Sequence, residues 1–271
     1  MVTRLEGSEK VWRHRTPRGQ LVLWAGWLAL VALFVFCWQV MTKDTIWAFV
    51  MDAPKQAADI GSRMVPPRWS YMETLWLPLW DTINIATLGT LLGIIIAVPI
   101  AFLAARNTTP STTFVRPLAL LIIVASRSIN SLIWALLLVS IIGPGILAGI
   151  VAIGLRSIGF IGKLLYEAIE EIDENQVEAV RATGASGAQV IDHAIVPQIL
   201  PAFFGISVFR WDINIRESTI LGLVGAGGIG LQLQASLNVL AWPQVTVIFI
   251  VILLTVVLSE WVSAKVRAAV T

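Results

Sequence analysis

Long apolar runs dominate the pattern of hydrophobic and polar positions along the chain. A helix needs about 20 apolar residues to cross the hydrocarbon core of a membrane, and several segments reach that length. This pattern predicts an all-α, polytopic membrane protein with about six transmembrane helices. The predicted spans are Leu21–Met41, Thr82–Ala105, Pro117–Ile142, Gly145–Leu165, Leu200–Leu223 and Pro243–Lys265.

The composition supports the membrane assignment and excludes other classes. The chain is 57% hydrophobic and only 13% charged, whereas a soluble domain has about 25% charged residues. The single cysteine, Cys37, excludes a disulfide framework or a cysteine metal site within one chain. The first span is longer than the apolar region of a usual signal peptide, and no small-residue cleavage site follows it, so we expect it to remain as an uncleaved helix. The basic residues form no stripe with interleaved aromatics, so the sequence predicts no nucleic-acid partner.

Lysines and arginines between the spans predict the orientation. They gather before the first span and in the segment 106–116, and they are missing from 143–144 and 224–242. Because cytoplasmic loops are enriched in these residues, we expect both termini in the cytoplasm. The resulting divisions are a basic cytoplasmic N-terminus (1–20), the first span (21–41), an extracytoplasmic loop with an interfacial helix between Ala53 and Trp80 (42–81), a core domain (82–265) and a cytoplasmic tail (266–271).

The segment 166–198 is the most polar part of the core domain. Its acidic first half favours helix up to Gly184, which suits the residue after a helix C-terminus because glycine accepts a left-handed backbone. Ser186 can cap a second short helix running through His193, and Pro197 with Pro201 predicts its end and the return to the membrane. We therefore expect a cytoplasmic helix–turn–helix hairpin that serves as a docking surface.

This hairpin resembles the signature loop of ABC-importer permeases. Glu178-Ala179-Val180, then Gly184, then Val196-Pro197 stand at the spacing of that loop, with valine replacing the third alanine. The resemblance implies a type I ABC importer permease fold, in which the hairpin 166–198 is a coupling hairpin that sits in a groove of the ATP-hydrolysing subunit. The docking residues carried over from the family are Glu178, Ala179, Arg181, Gly184 and Ala185.

The flanking segments resemble the phosphonate-importer permeases. Ile158–Leu164, Glu167–Asp173 and Ile220–Gly230 carry this resemblance, which covers about residues 80 to 265. The family often has proline where this chain has Asn130. The resemblance implies a permease in a bacterial inner membrane that carries phosphonate, phosphite, hypophosphite or phosphate.

The same resemblance implies the partners. They are a dimer of ABC ATPase subunits, an extracytoplasmic substrate-binding protein and a second copy of this chain in a homodimer. It implies no cofactor in this chain, since ATP and Mg²⁺ would bind the ATPase subunits, and no enzymatic activity of its own.

Two glycine-containing segments resemble nucleotide-binding motifs but lack features that those motifs require. Gly225–Gly230 matches G-x-G-x-x-G, but a membrane helix precedes it and the acidic residue expected about 20 positions later is missing. It predicts instead a turn or short re-entrant segment at the outer mouth. Gly162-Lys163 resembles a P-loop, but Leu164 replaces the required Ser or Thr.

Charges within the predicted spans are candidates for a translocation path, because intramembrane charges usually face a partner or a water-filled path. Asp212 and Arg216 are four residues apart and should pair, and Arg210, Asn214 and Glu217 share a neighbouring face. Charge neutralisation and substrate contact both remain open for this helix, whereas Arg127 has no partner in its own helix and could bind an oxyanion through its guanidinium. The predicted path or gate residues are Arg127, Trp134, Arg210, Arg216, Glu217, Gly225, Gly227 and Gly228.

A different class of function is also open. The buried Arg, Asp and Glu residues could form the conduction or relay path of an ion channel or a proton-coupled secondary transporter. The cytoplasmic hairpin favours the ABC permease, because a channel has no need of an ATPase docking surface.

Overall fold

A computed structural model describes the backbone of residues 2–6, 9–13 and 17–270, and the side chains of residues 18–269. The chain divides into two compact units, residues 1–59 and 60–271. In the first unit, strands β1 (Val2–Glu6) and β2 (Glu9–Arg13) form an antiparallel pair. This pair was not predicted, and it lies in the segment that the sequence showed only as a basic terminus. Helix α1 (Pro17–Thr42) follows with an apolar surface that is exposed along its length.

The helices of the second unit account for the remaining predicted spans. Helix α2 (Trp47–Arg63) begins in the first unit and ends in the second, within the loop where one interfacial helix was predicted. The later helices are α3 (Met72–Ala104), α4 (Val115–Ser128), α5 (Ser131–Ile142), α6 (Ile146–Glu170), α7 (Glu174–Ala182), α8 (Gly187–Val190), α9 (Val196–Leu221), α10 (Ile229–Asn238) and α11 (Trp242–Val270).

The membrane class and the number of spans agree with the sequence. In the described part of the chain, five helical segments are long and apolar enough to cross a membrane, and the pair α4 and α5 brings the total to six if it counts as one broken span. The second span begins ten residues earlier than predicted, because the apolar-aromatic run before Thr82 continues the helix back to Met72 and Pro78 is accommodated inside it.

The third predicted span, Pro117–Ile142, was wrong as a single helix. Helix α4 ends at Ser128, α5 begins at Ser131, and their axes differ by 87°. The physical reason is Asn130, whose extended backbone interrupts the helix while its side-chain Oδ1 accepts the Leu132 N–H at 3.0 Å. Asn130 is therefore the N-cap of a new helix, α5, within the predicted span.

The predicted end of the cytoplasmic hairpin was also partly wrong. Helix α8 is short and continues through one π-helical turn, Ile191–Ile195, directly into α9. Pro197 lies in the first turn of α9, where a missing backbone N–H is tolerated. Pro201 lies inside α9, so it does not mark the end of the hairpin.

Helices α3, α6 and α9 form the centre of the second unit. Helix α6 has the most buried surface of these, with twelve buried residues between Ala148 and Ile169. Small residues allow the close approach of α3 to α6: a Cβ placed on Gly93 would lie 2.5 Å from the Ser157 Cβ. The polar face of α9 packs beside this contact, where Asn214 donates to Thr90 of α3 and Ser157 of α6.

Candidate functional site

The hairpin 166–198 is built by local capping. Asp173 accepts the Asn175 N–H at 3.0 Å and starts α7. Gly184 follows the last residues of α7 with φ +83°, and its N–H bonds to the Arg181 carbonyl at 3.0 Å. The Ser186 N–H donates to the Gln189 side chain at 2.8 Å at the start of α8. The two helices, the glycine turn and the Ser186 cap agree with the prediction.

The hairpin is anchored to the membrane helices by an apolar cluster. Val177 of α7 and Val190 of α8 are buried with residues of α3, α6 and α9, including Ala101, Leu165 and Ile199. Packing of this kind transmits motion, because a close-packed core is displaced as a body. The hairpin is therefore packed as one body with the ends of three membrane helices.

The five predicted docking residues lie together on this hairpin. Glu178, Ala179, Arg181 and Gly184 are exposed, and Ala185 is half-buried against the apolar cluster. A hollow of about 610 Å³ is lined by three of them, and a second of about 180 Å³ is lined by Glu178 and Arg181. Within the described residues, neither Glu178 nor Arg181 makes an ion pair. Their charges face outward and are free to meet a partner.

The loop between α3 and α4 is fastened to the base of the hairpin. The Glu170 carboxylate accepts the Arg106 backbone N–H at 2.9 Å and lies 3.4 Å from the Arg116 guanidinium. Arg116 also donates to the Ala104 carbonyl at 3.1 Å. The loop between α3 and α4 is thereby tied to the end of α6.

A network of buried and half-buried polar groups lies between α6 and α9. The Glu217 carboxylate is 2.8 Å from the Arg156 guanidinium and 3.5 Å from that of Arg210. Arg210 also donates to the Ser157 hydroxyl at 3.1 Å, and Asn214 donates to the same hydroxyl at 3.0 Å. The predicted shared face of Arg210, Asn214 and Glu217 is therefore confirmed.

This network carries a net charge of +1, from two arginines and one glutamate. A charged side chain at the centre of a bilayer costs about 2.5–3.5 kcal/mol on insertion scales, and pairing compensates that cost. Arg210 is almost fully buried, and its guanidinium also lies over the Phe160 ring, 5.1 Å from its centroid. The pairing fixes α9 against α6.

Arg216 lies in a separate pair on α9. Its guanidinium is 2.7 Å from the Asp212 carboxylate, as the four-residue spacing predicted. The other Asp212 oxygen accepts the Ser259 hydroxyl of α11 at 2.7 Å. Asp212 is thus satisfied by two partners and links α9 to α11.

Arg127 and Trp134 lie on the two halves of the broken span. Arg127 is exposed at the end of α4 and, among the described residues, its guanidinium has no ion-pair partner. It lines a hollow of about 280 Å³ together with Ser128, Lys163 and Tyr166. The Trp134 side chain is partly buried and packs against the apolar cluster that contains Ala135 and Ile153.

The three predicted gate glycines form a turn between α9 and α10. Gly225, Gly227 and Gly228 have φ values of +90°, +89° and +75°, a backbone region that favours glycine. The Thr82 hydroxyl of α3 accepts the next N–H, that of Ile229, at 2.8 Å. The predicted turn is confirmed, and its contacts fasten it to α3; a role in gating stays a prediction.

Arg156 is the charged residue that sequence reasoning did not include in the site. Its position in the fourth span was visible, but its partners lie on α5 and α9, far away in the sequence. A within-helix spacing rule cannot find such a pair. No group of His, Cys, Asp or Glu side chains suited to a metal ion occurs in the part of the chain that the structure describes.

Comparisons with known proteins identify the family. A family described as the binding-protein-dependent transport system inner membrane component matches residues 97–267. The chain is 37% identical over 260 residues to the phosphite transport system permease protein PtxC of Stutzerimonas stutzeri, covering 94% of each chain. It is 38% identical over 236 residues to the phosphate-import permease protein PhnE of Mycolicibacterium smegmatis, covering 87% of this chain and 44% of that longer protein.

Solved structures show the same fold. The inward-facing MetNI methionine ABC transporter matches with a TM-score of 0.65 at 22% identity, covering 74% of this chain and 98% of that chain. A bacterial ABC transporter that imports alginate matches with a TM-score of 0.57 at 17% identity, covering 92% of this chain and 99% of that chain. The type I importer permease fold predicted from the sequence is confirmed. The chain belongs to the family of inner-membrane components of binding-protein-dependent transport systems, and within it to the permeases of the phosphonate type.

Proposed function

We propose that this chain provides the translocation path of an ATP-driven importer for a phosphorus oxyanion of the phosphonate, phosphite, hypophosphite and phosphate group. The observation that carries the proposal is the similarity to a phosphite transport permease along 94% of both chains. The proposed assembly is a homodimer of this chain, two ATPase subunits and an extracytoplasmic binding protein, with both termini in the cytoplasm. ATP hydrolysis is assigned to the ATPase subunits.

The docking role proposed for the hairpin is supported by its exposed charges and its seat on the membrane helices. Glu178 and Arg181 present opposite charges beside one hollow, and the turn at Gly184 opens the other. Closure of the ATPase subunits on ATP would push this surface, and the apolar cluster would carry the push to α3, α6 and α9.

Buried acids argue against a proton-coupled carrier. A relay needs a carboxylate that can take up and release a proton, but Asp212 and Glu217 are both held as partners of arginines. The family assignment likewise does not favour a channel.

Charge reversal on the hairpin tests the docking proposal. Glu178→Arg should release the ATPase subunits from the purified complex and abolish ATP-driven uptake, while the permease keeps its melting temperature. Glu171→Arg is a matched control at an exposed position that lines neither hollow, and it tests whether any added charge has this effect. Copurification of ATPase with Glu178→Arg together with full uptake would show that the docking assignment is wrong.

The substrate is tested on the binding protein. Calorimetric titration with methylphosphonate, phosphite, phosphate and sulfate should show tight binding of a phosphorus oxyanion and none of sulfate. Tight binding of sulfate, or of none of the three phosphorus compounds, would overturn the proposed substrate class.

A further inference from the structure

We propose that Arg156 contacts the transported phosphorus oxyanion during its passage and that Glu217 and Arg210 hold it ready for that contact. This inference rests on the importer function proposed above and adds a specific residue to it. It concerns the charges between α6 and α9, which the sequence grouped only in part.

Exposure separates the two arginines of this network. The Arg210 side chain is 2% exposed and is held by Ser157, Glu217 and the Phe160 ring. It cannot meet a passing solute without unpacking α6 from α9. The Arg156 side chain is 30% exposed and has one short contact, to Glu217, with a longer one of 3.4 Å to the Ser131 hydroxyl. Because a guanidinium has five N–H donors, most donors of Arg156 remain free for a ligand.

Glu217 is bonded to both arginines, and this allows Arg156 to exchange Glu217 for an oxyanion. One carboxylate oxygen faces Arg156 and the other faces Arg210. When Arg156 turns to an oxyanion, Glu217 keeps a positive neighbour in Arg210. Release therefore leaves the half-buried Glu217 carboxylate with a partner, whereas breaking an ordinary buried pair leaves an uncompensated charge at high cost.

The start of α5 adds to the positive potential at this point. Ser131, which lies within hydrogen-bond distance of Arg156, is the first residue of this twelve-residue helix. Backbone N–H groups at a helix N-terminus favour anions. The break between α4 and α5 thus places the start of α5 beside the partly exposed Arg156 guanidinium.

The reversible character of the site suits a transport path. Glu217 competes with the oxyanion for Arg156, and this competition prevents tight retention. A fixed pair of free arginines would hold a dianion strongly through forked hydrogen bonds, whereas a path has to release what it receives.

A charge-counting set of variants tests the inference in the complete complex with ATPase subunits and binding protein, reconstituted in proteoliposomes. The wild-type network has a charge of +1 and Arg156→Gln has none. Glu217→Gln has +2, and the double variant Arg156→Gln/Glu217→Gln has +1 again. If Arg156 only balances Glu217, the double variant should recover both the melting temperature and phosphite uptake.

The proposal expects a different result for the double variant. Its melting temperature and its ATP hydrolysis stimulated by the loaded binding protein return to wild-type values, but phosphite uptake per ATP stays about ten-fold or more below wild type, as expected for loss of a charge-assisted hydrogen bond. Glu217→Gln keeps Arg156 but removes the carboxylate that competes for it, so its complex should retain phosphite longer than the wild-type complex. Wild-type uptake per ATP by the double variant would overturn the role of Arg156 while leaving the importer function intact. A wild-type complex that moves no phosphorus oxyanion would instead overturn the importer function and the inference with it.

Discussion

The contact between α4 and α6 at Gly159 gives a sharp prediction about packing. A Cβ at this position would lie 2.5 Å from the Ile123 carbonyl oxygen, 2.8 Å from the Arg127 backbone nitrogen and 2.8 Å from the Ser126 hydroxyl oxygen. The Gly159 N–H also donates to that hydroxyl at 2.8 Å. Two of the three clashing atoms belong to the backbone of α4 and cannot rotate away, so Gly159→Ala has to push α4 from α6.

The expected magnitude follows from two opposing effects. Overpacking a close contact costs about 1–3 kcal/mol, and replacing glycine by alanine inside a helix recovers about 0.5–1 kcal/mol. The two ranges combine to a net loss of stability between about 0 and about 2.5 kcal/mol, with a central value of roughly 1 kcal/mol. At about 2–4 °C per kcal/mol for a chain of this size, the melting temperature should fall by several degrees.

Gly205 supplies the matched control. It lies inside α9, and a Cβ there meets nothing within 4 Å. Gly205→Ala should therefore keep only the favourable helix effect and raise the melting temperature slightly. The assay is thermal unfolding of the purified permease in one detergent, followed by tryptophan fluorescence at a fixed scan rate. A melting temperature of Gly159→Ala at or above that of wild type would refute the packing argument.

Two further predictions concern single hydrogen bonds. Ser259→Ala removes a donor to the buried Asp212 oxygen and should lower the stability by about 1–3 kcal/mol, because it leaves a buried acceptor unpaired. Thermal unfolding measures this loss, with Ser140→Ala at an exposed helix position as the control. Equal melting temperatures of the two variants would contradict the prediction. Asn130→Ala removes the N-cap of α5 and should lower the stability by about 0.5–2 kcal/mol. Asn130→Asp keeps a capping oxygen and should melt close to the wild-type temperature. Similar losses of stability in both variants would show that Asn130 does not act as a cap.

Much of the membrane topology could be predicted from the sequence, because span length and apolar content are local properties. The helix ends of α6 and α11 lie within a few residues of the predicted boundaries. The turn at Gly184 was predictable for the same reason, since a glycine after a helical run in a polar segment has few alternatives. The pair of Asp212 and Arg216 followed from a four-residue spacing within one helix.

The break at Asn130 was missed although its signal was present. An asparagine followed by serine inside an apolar run is a possible N-cap, but hydropathy averages over it and reports one long span. The sequence does not show the continuity of α8 into α9, because Pro197 and Pro201 both favour a helix end, whereas the first turn of a helix accepts proline. Contacts outside the local sequence decide whether an asparagine or a proline interrupts a helix or is accommodated within it.

Contacts between helices could not be obtained from one sequence. Arg156 finds Glu217 across 61 positions, and Asn214 reaches Thr90 across 124. Such pairs depend on which faces of α3, α6 and α9 meet, and small residues such as Gly93 decide that. The fold supplies partners for Arg210, Arg216 and Glu217, whereas Arg127 has no ion-pair partner among the described residues.

The most direct test of the central claim is ATP-dependent uptake of a radiolabelled phosphorus oxyanion. The chain is reconstituted in proteoliposomes with its ATPase and binding-protein partners, and phosphite, methylphosphonate, phosphate and sulfate are offered in turn. We expect uptake of at least one phosphorus oxyanion that requires both ATP and the binding protein, and no uptake of sulfate. Flux that proceeds without ATP and follows an imposed ion gradient would contradict the claim.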